Sequence, residues 1–166
     1  EAATEAATET EIVLATLGER IDALDADATA EDALMAFLDW SADRSVNLYD
    51  HQEAAILELA AEHHVVLATP TGSGKSMVAL ALHAMALAVG ERSFYTSPIK
   101  ALVSEKFFAL CNDLGAEQVG LMTGDGTVNR DAPVICCTAE VLAQMALQEG
   151  DDADVQQVVM DEFHYY

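Results

Sequence analysis

The sequence predicts an α/β fold with a parallel sheet, and three observations support this prediction. From about residue 46, short apolar runs alternate with longer segments in which apolar residues recur at helical spacing. The short runs are apolar at almost every position, which is typical of strands buried on both faces. Gly90 and Gly115 stand where two of the helical segments would end. Because helices between consecutive buried strands act as crossovers, the strands are expected to run parallel.

An acidic helical segment is expected to precede this sheet. Residues 1–10, EAATEAATET, form an Ala/Thr/Glu repeat that predicts a disordered lead-in. Residues 11–45 predict two helices, of which the first spans residues 11–24 and the second begins after Thr29 as its N-cap. The second helix is expected to bury a stripe formed by Leu34, Phe37, Leu38 and Trp40.

The α/β domain is predicted to extend over residues 46–166, as an alternation of strands and helices. The expected strands are residues 65–70, 93–97, 119–122, 132–138 and 155–162. The expected helices are residues 51–62, 75–89, 101–114 and 139–150. The sequence contains no run of about 20 apolar residues, so it predicts no membrane span.

The chain carries a formal net charge of -22, which is expected to repel nucleic acid unless the few basic residues are well placed. All three lysines, Lys75, Lys100 and Lys106, lie within one short stretch. The alternative interpretation of the charge is an acidic protein adapted to salt. The three cysteines lack the spacing of zinc ligands or of a disulfide framework, which favours a reducing, cytoplasmic setting.

Residues 69–76, TPTGSGKS, stand between the first expected strand and the helix that follows it. A phosphate-binding loop needs small residues whose backbone N–H groups can face phosphates, a lysine for the outer phosphates and a hydroxyl for Mg²⁺. Lys75 and Ser76 supply the last two, whereas Thr69 replaces the glycine that begins the strict pattern. The nucleotide-binding residues predicted by this segment are Thr71, Gly72, Ser73, Gly74, Lys75 and Ser76.

Two acidic residues follow the last expected strand. Asp161 and Glu162 come directly after the apolar run VQQVVM, at the end of a strand where α/β folds place functional residues. Asp161 can join Ser76 in holding Mg²⁺, and Glu162 can orient or activate an attacking water. Together with the phosphate loop, the pair predicts hydrolysis of a nucleoside triphosphate. The alternative is that both are exposed surface acids.

The order of motifs resembles that of one helicase branch. TPTGSGKS followed by DEFH resembles motifs I and II of superfamily-two DExH-box helicases. Between them, residues 94–106 (FYTSPIKALVSEK), 120–129 (GLMTGDGTVN) and 138–142 (TAEVL) resemble motif Ia, the next conserved stretch and motif Ib of superkiller-like, exosome-associated RNA helicases, especially bacterial ones. LYDHQEAAI at residues 48–56 resembles the upstream glutamine motif, although His51 stands where an aromatic residue often precedes the glutamine.

This resemblance implies a RecA-like P-loop NTPase lobe of an ATP-dependent helicase that uses ATP and Mg²⁺. It implies that Gln52 binds adenine and that Lys75, Asp161, Glu162 and His164 are catalytic, with His164 coupling the site to a second RecA-like lobe of the same chain. The implied partner is single-stranded nucleic acid, with RNA favoured over DNA. The residues implied to line the nucleic-acid face are Ser97, Pro98, Lys100, Gly124, Asp125, Thr138 and Glu140.

Several alternatives stay open from the sequence. Gly124 and Asp125 also suit an ordinary turn, and Glu140 suits a capping partner of Thr138. Lys100 and, less strongly, Lys106 suit a contact with nucleic-acid phosphates, and both also suit a solvated side chain. At the level of function, the alternatives are a nucleotide-binding regulatory module without unwinding activity, a DNA helicase, and another phosphate-loop enzyme such as a kinase or a protein-remodelling ATPase.

The resemblance also implies that the lobe is incomplete. In RecA-like sheets of this family, a strand with a Ser-Ala-Thr motif follows motif II and lies between the phosphate-loop strand and the Asp-Glu strand. The sequence given stops at Tyr166, before such a motif. We therefore expect the 166-residue piece by itself to be marginally stable and nearly inactive as an ATPase.

Overall fold

The structure, a computed structural model, describes residues 14–70, 72 and 74–166. The lead-in predicted for residues 1–10, the first residues of the helix predicted over residues 11–24, and the predicted nucleotide-binding residues Thr71 and Ser73 lie outside the described residues.

The described residues form a five-stranded, mostly parallel sheet. Its strands are β1 (Ser93–Ser97), β2 (Val119–Thr123), β3 (Gly126–Val128), β4 (Val134–Thr138) and β5 (Gln157–Met160). They lie in the order β3-β2-β4-β1-β5, in which β1 pairs in parallel with β4 and β5, and β2 pairs in parallel with β4. Only the short β3 is antiparallel, as the second strand of a hairpin with β2. The predicted α/β class is confirmed.

Helices precede the sheet and connect its parallel strands. They are α1 (Leu17–Asp22), α2 (Ala30–Asp43), α3 (Asp50–Ala60), α4 (Lys75–Ala88), α5 (Lys100–Leu114) and α6 (Ala139–Glu149). Short 3-10 turns follow at Gly150–Asp152 and Phe163–Tyr165. Among the described residues, every helix is too short or too polar to serve as a membrane span.

The starts of α1 and α2 are fixed by threonine caps. The backbone N–H of Thr29 donates to Asp32 Oδ2 at 2.8 Å, and Thr29 Oγ1 accepts from the Asp32 N–H at 3.3 Å, which forms a capping box. The predicted N-cap is therefore confirmed. Thr16 forms the same box with Glu19, so α1 begins at Leu17. The sequence prediction of a helix from residue 11 is wrong for residues 14–16, because a capping residue has non-helical backbone.

The sheet is covered on both faces. Tyr95 and Cys136 belong to a core that also contains buried residues of α1 to α5, whereas Phe94 and Ile135 belong to a second cluster that includes Met145 of α6. Neighbouring residues along β1 and β4 thus enter opposite cores, as expected for strands buried on both faces. The stripe predicted for α2 packs in the first core: Leu34, Phe37 and Trp40 are buried and Leu38 is partly buried.

The first predicted strand, residues 65–70, is not part of the sheet, and the prediction of that strand is wrong. Its side chains alternate as they do in a strand: Val65 and Leu67 pack against the core, while Val66 is 81% exposed. Neither this segment nor the outer edge of β5 has a strand partner among the described residues. An apolar run forms a strand only where a neighbouring backbone can complete its hydrogen bonds.

Gly18 allows α1 to approach the end of α5 closely. A Cβ atom built on Gly18 would collide with the Leu114 carbonyl oxygen and lie 2.9 Å from Leu114 Cα. We expect Gly18→Ala to lower the free energy of unfolding by about 1–3 kcal/mol, because backbone atoms must move to accommodate the added methyl group. Denaturant unfolding measures this change. Gly126→Ala is the matched control, because a Cβ there would meet no atom within 4 Å; equal stability of the two variants would contradict the prediction.

Candidate functional site

The predicted phosphate loop leads into the N-terminus of α4. Gly74 is the N-cap of this helix and has left-handed backbone angles of φ 75° and ψ 25°, with no side-chain cap. Gly72 is also left-handed, with φ 83°, and a Cβ there would meet nothing within 4 Å. The first N–H groups of a helix have no partners within it. This terminus therefore offers backbone donors and a partial positive charge to an anion.

Lys75, the first residue of α4, folds back over the loop. Its Nζ atom donates to the carbonyl oxygens of Thr69 at 2.7 Å and Pro70 at 3.4 Å. Both partners are neutral, and none of the ion pairs among the described residues includes Lys75. No carboxylate of the described residues is thus paired with the Lys75 ammonium group, which suits it to bind an anionic ligand beside the loop.

Gln52 supports the loop from α3. It is 2% exposed and is the third residue of α3, within the helix predicted over residues 51–62. Its Oε1 atom accepts from the Tyr49 N–H at 2.7 Å, and its Nε2 atom donates to the Gly74 carbonyl at 2.7 Å. Gln52 therefore ties α3 to the phosphate loop through both ends of its amide. Its predicted contact with adenine stays a prediction.

Asp161 is held at the end of β5 by two donors. Its Oδ2 atom accepts from the Tyr95 hydroxyl at 2.5 Å, and its Oδ1 atom accepts from the Glu162 N–H at 2.9 Å. Tyr95 is 2% exposed, and burial, followed by the bond to Asp161, raises its pKa far above the usual value. The phenol therefore stays protonated and acts as a donor that orients the carboxylate.

Glu162 has a left-handed backbone, with φ 52° and ψ 42°, although it is not glycine. Such a conformation costs a non-glycine residue about 1–3 kcal/mol. It turns the chain from β5 into the 3-10 turn of Phe163–Tyr165. The side chain of Glu162 is half-buried, and its Oε2 atom lies 3.6 Å from Nε2 of the exposed His164. The structure thus brings two of the four predicted catalytic residues, Glu162 and His164, together.

Lys106 connects the phosphate loop to the end of β5. Its Nζ atom donates to Ser76 Oγ at 2.8 Å and lies 5.4 Å from the ring centre of Tyr95, whose hydroxyl binds Asp161. The two predicted magnesium ligands, Ser76 and Asp161, are therefore joined through Lys106 and Tyr95. The sequence predicts no role for Tyr95 and, for Lys106, only a weak expectation of a nucleic-acid phosphate contact, because the contacts of both residues cross between separate elements.

The predicted nucleic-acid residues lie near the carboxyl ends of β1, β2 and β4, which meet at one edge of the sheet. Ser97 and Thr138 are partners in the register of β1 and β4. Pro98 follows Ser97 and is half-buried. Lys100, the first residue of α5, forms an ion pair with Asp125 in the turn between β2 and β3.

The structure bears on two of the open alternatives, while the predicted nucleic-acid contacts of these residues stay predictions. Gly124 and Asp125 do form the turn of the β2–β3 hairpin, with both residues exposed. Thr138 is the N-cap of α6 but its side chain makes no capping hydrogen bond, so the interpretation of Glu140 as its capping partner is wrong. Glu140 is exposed in the first turn of α6.

The oxygen donors fit magnesium that arrives with a nucleotide. No cluster of three or more His, Cys, Asp or Glu side chains suited to a metal ion occurs in the part of the chain that the structure describes. Mg²⁺ usually takes only one or two protein ligands and completes its shell with phosphates and waters. The Ser76 hydroxyl and the oriented Asp161 carboxylate are ligands of that kind.

Comparison with known proteins gives consistent matches. The family model for the DEAD/DEAH box helicases matches residues 49–166. The probable helicase HelY of Mycobacterium tuberculosis (strain ATCC 25618 / H37Rv) is 41% identical over 128 residues, which are 76% of this chain and 14% of that protein. The chloroplastic DExH-box ATP-dependent RNA helicase DExH15 of Arabidopsis thaliana is 36% identical over 135 residues, 74% of this chain and 12% of that protein.

The superkiller complex protein 2 of Homo sapiens is 40% identical over 116 residues, 69% of this chain and 9% of that protein. The chain thus spans only a small part of the length of each of these relatives.

Proposed function

The chain belongs to the DEAD/DEAH box helicase family, and from this membership we propose that the whole protein is an ATP-dependent RNA helicase. The observation that carries the proposal is the connected site in which Lys106 joins Ser76, at the uncapped start of α4, to Tyr95, whose hydroxyl orients the Asp161 carboxylate. RNA is favoured over DNA because relatives of this chain are named RNA helicases or superkiller proteins.

We assign the ATP-binding lobe to residues 46–166 and the preceding helices to an accessory segment, residues 11–45. Buried residues of α1 and α2 share the first core with α4, which supports a joint folded unit. The second RecA-like lobe is proposed to lie elsewhere in the whole protein. Cys111, Cys136 and Cys137 are free thiols, which supports a reducing compartment, the cytoplasm.

In the proposed reaction, the loop N–H groups and Lys75 bind the phosphates of ATP, while Gln52 keeps the loop in place. Ser76 and Asp161 would hold Mg²⁺, which neutralises charge on the phosphates when bound. Glu162 accepts the proton of the attacking water. His164, exposed beside Glu162, is placed to transmit the state of the site to the second lobe.

For the nucleic acid, we propose the sheet edge that carries Ser97, Thr138 and the ion pair of Lys100 with Asp125. Hydroxyls, backbone N–H groups and helix N-termini bind the sugar-phosphate backbone without a large net positive charge. The net charge of -22 is compatible with such contacts. An RNA phosphate would compete with the Asp125 carboxylate for Lys100, so binding is expected to weaken as salt increases.

The proposal is tested by phosphate release from ATP in the full-length protein, with single-stranded RNA or DNA added. We expect RNA to raise the rate of hydrolysis by at least about tenfold, because strand binding brings the two lobes together around ATP. The Glu162→Gln variant controls for a contaminating ATPase. Stimulation by DNA alone would overturn the RNA assignment, and stimulation by neither strand would overturn the helicase proposal in favour of a nucleotide-binding module.

A further inference from the structure

We propose that Lys106 is a second phosphate-binding lysine of the nucleotide site, contributed by α5 and not by the phosphate loop. The inference rests on the proposed function, because it assigns a ligand contact within the same site. Its starting point is the hydrogen bond of 2.8 Å from Lys106 Nζ to Ser76 Oγ, which places a full positive charge beside the second residue of the phosphate-binding helix.

Lys106 lacks a directly paired carboxylate among the described residues. The chain has 29 acidic residues against seven lysines and arginines, so carboxylates are abundant. Lys100, Arg20 and Arg92 each pair with an aspartate, yet none of the ion pairs among the described residues includes Lys106, which is half-buried. Partial burial of an unpaired charge is unfavourable. Asp113 interacts with Lys106 electrostatically but forms no ion pair with it, so a phosphate ligand would supply the anion in direct contact.

The Lys106 side chain is also held in a fixed position. Val103 and Leu110, on either side of Lys106 along α5, are buried in the core, so this helix face cannot rotate away from the site. The Lys106 ammonium also lies 5.4 Å from the ring centre of Tyr95, within the range of a cation–π contact. Preorganised charges bind phosphate more tightly than flexible surface lysines, because less side-chain entropy is lost on binding.

Lys106 is also located between the two predicted magnesium ligands. Ser76 contacts Lys106 directly, and Asp161 contacts it through the hydroxyl-bearing ring of Tyr95. Phosphate oxygens that share Mg²⁺ with Ser76 and Asp161 would therefore lie near the Lys106 ammonium. Lysine acts as a point charge toward phosphate, so it needs no fixed bidentate geometry to contribute.

The test is binding of the fluorescent nucleotide mant-ADP, with Mg²⁺, to the full-length protein. Lys106→Gln keeps a hydrogen-bond donor toward Ser76 but removes the charge, and we expect its Kd to rise about tenfold. Lys106→Arg keeps the charge and is expected to stay within about threefold of the wild type. Arg130→Gln, which removes the same charge from an exposed turn, is the matched control and is expected to leave the Kd unchanged.

Any outcome other than these expected affinities would overturn the inference. Wild-type affinity of Lys106→Gln would exclude a phosphate contact, and tighter binding would show that the ammonium competes with Mg²⁺ at Ser76. Equal losses in the Gln and Arg variants would indicate a purely structural role, which thermal unfolding of both variants would register independently. If the wild-type protein binds no mant-ADP, the proposed function fails as well; if the wild type binds and only Lys106→Gln is normal, the inference alone fails.

Discussion

Glu162→Gln is expected to lower the rate of ATP hydrolysis by about 10²–10⁴-fold while leaving nucleotide affinity nearly unchanged. Glutamine has almost the same shape as glutamate, but its amide cannot accept a proton from the attacking water. The backbone of residue 162 already adopts its left-handed conformation with a non-glycine side chain, so the isosteric change adds no new backbone strain. A lower rate of ATP hydrolysis would therefore result from the loss of the carboxylate itself.

The measurement pairs steady-state phosphate release at saturating ATP with mant-ADP binding, in the full-length protein with RNA present. Glu149→Gln, which removes an exposed carboxylate at the end of α6, is the matched control and should keep the wild-type rate. A Glu162→Gln variant that hydrolyses ATP within about threefold of the wild type would exclude Glu162 as the base. A parallel loss of mant-ADP affinity would instead indicate that the change disturbs the binding site.

Helices were predictable from the sequence because their signals are local. Thr29 caps α2 as predicted, and the predicted helices after residue 50 begin or end within about two residues of those in the structure. Strands were less predictable, since a strand depends on a partner elsewhere in the chain. Residues 65–70 are as apolar as β4, yet they pair with no strand among the described residues. β3 was missed because its three residues are all exposed and show no apolar pattern.

The same difference between local and long-range signals applies to the residues of the site. Lys75, Ser76, Asp161 and Glu162 were identified from short motifs in which neighbouring residues act together. Tyr95 escaped notice because its partner Asp161 lies 66 positions away, and a tyrosine in an apolar strand reads as core. From the sequence, Lys106 suits a nucleic-acid phosphate contact or a solvated side chain, whereas its contact with Ser76 depends on how α5 packs beside α4.

Lys75→Met is expected to raise the Kd for mant-ADP by about 100-fold, which is the size of effect for a charge-assisted hydrogen bond to a phosphate. Methionine keeps the unbranched aliphatic stem and good helix propensity, so the start of α4 should form normally. It removes the ammonium group that bonds to the carbonyls of Thr69 and Pro70 and that has no counter-ion among the described residues.

Because Lys75→Met also loses those two carbonyl contacts, weak binding has two explanations, which melting temperatures with and without ADP separate. If Lys75 acts on the phosphates, ADP should raise the melting temperature of the wild type and of Arg130→Gln, but not that of Lys75→Met, while the three melting temperatures without ADP stay similar. If Lys75 only braces the loop, Lys75→Met should melt earlier without ADP and still gain stability when ADP is added in excess. Unchanged mant-ADP affinity in Lys75→Met would place the phosphates elsewhere and remove the basis for the site built on α4.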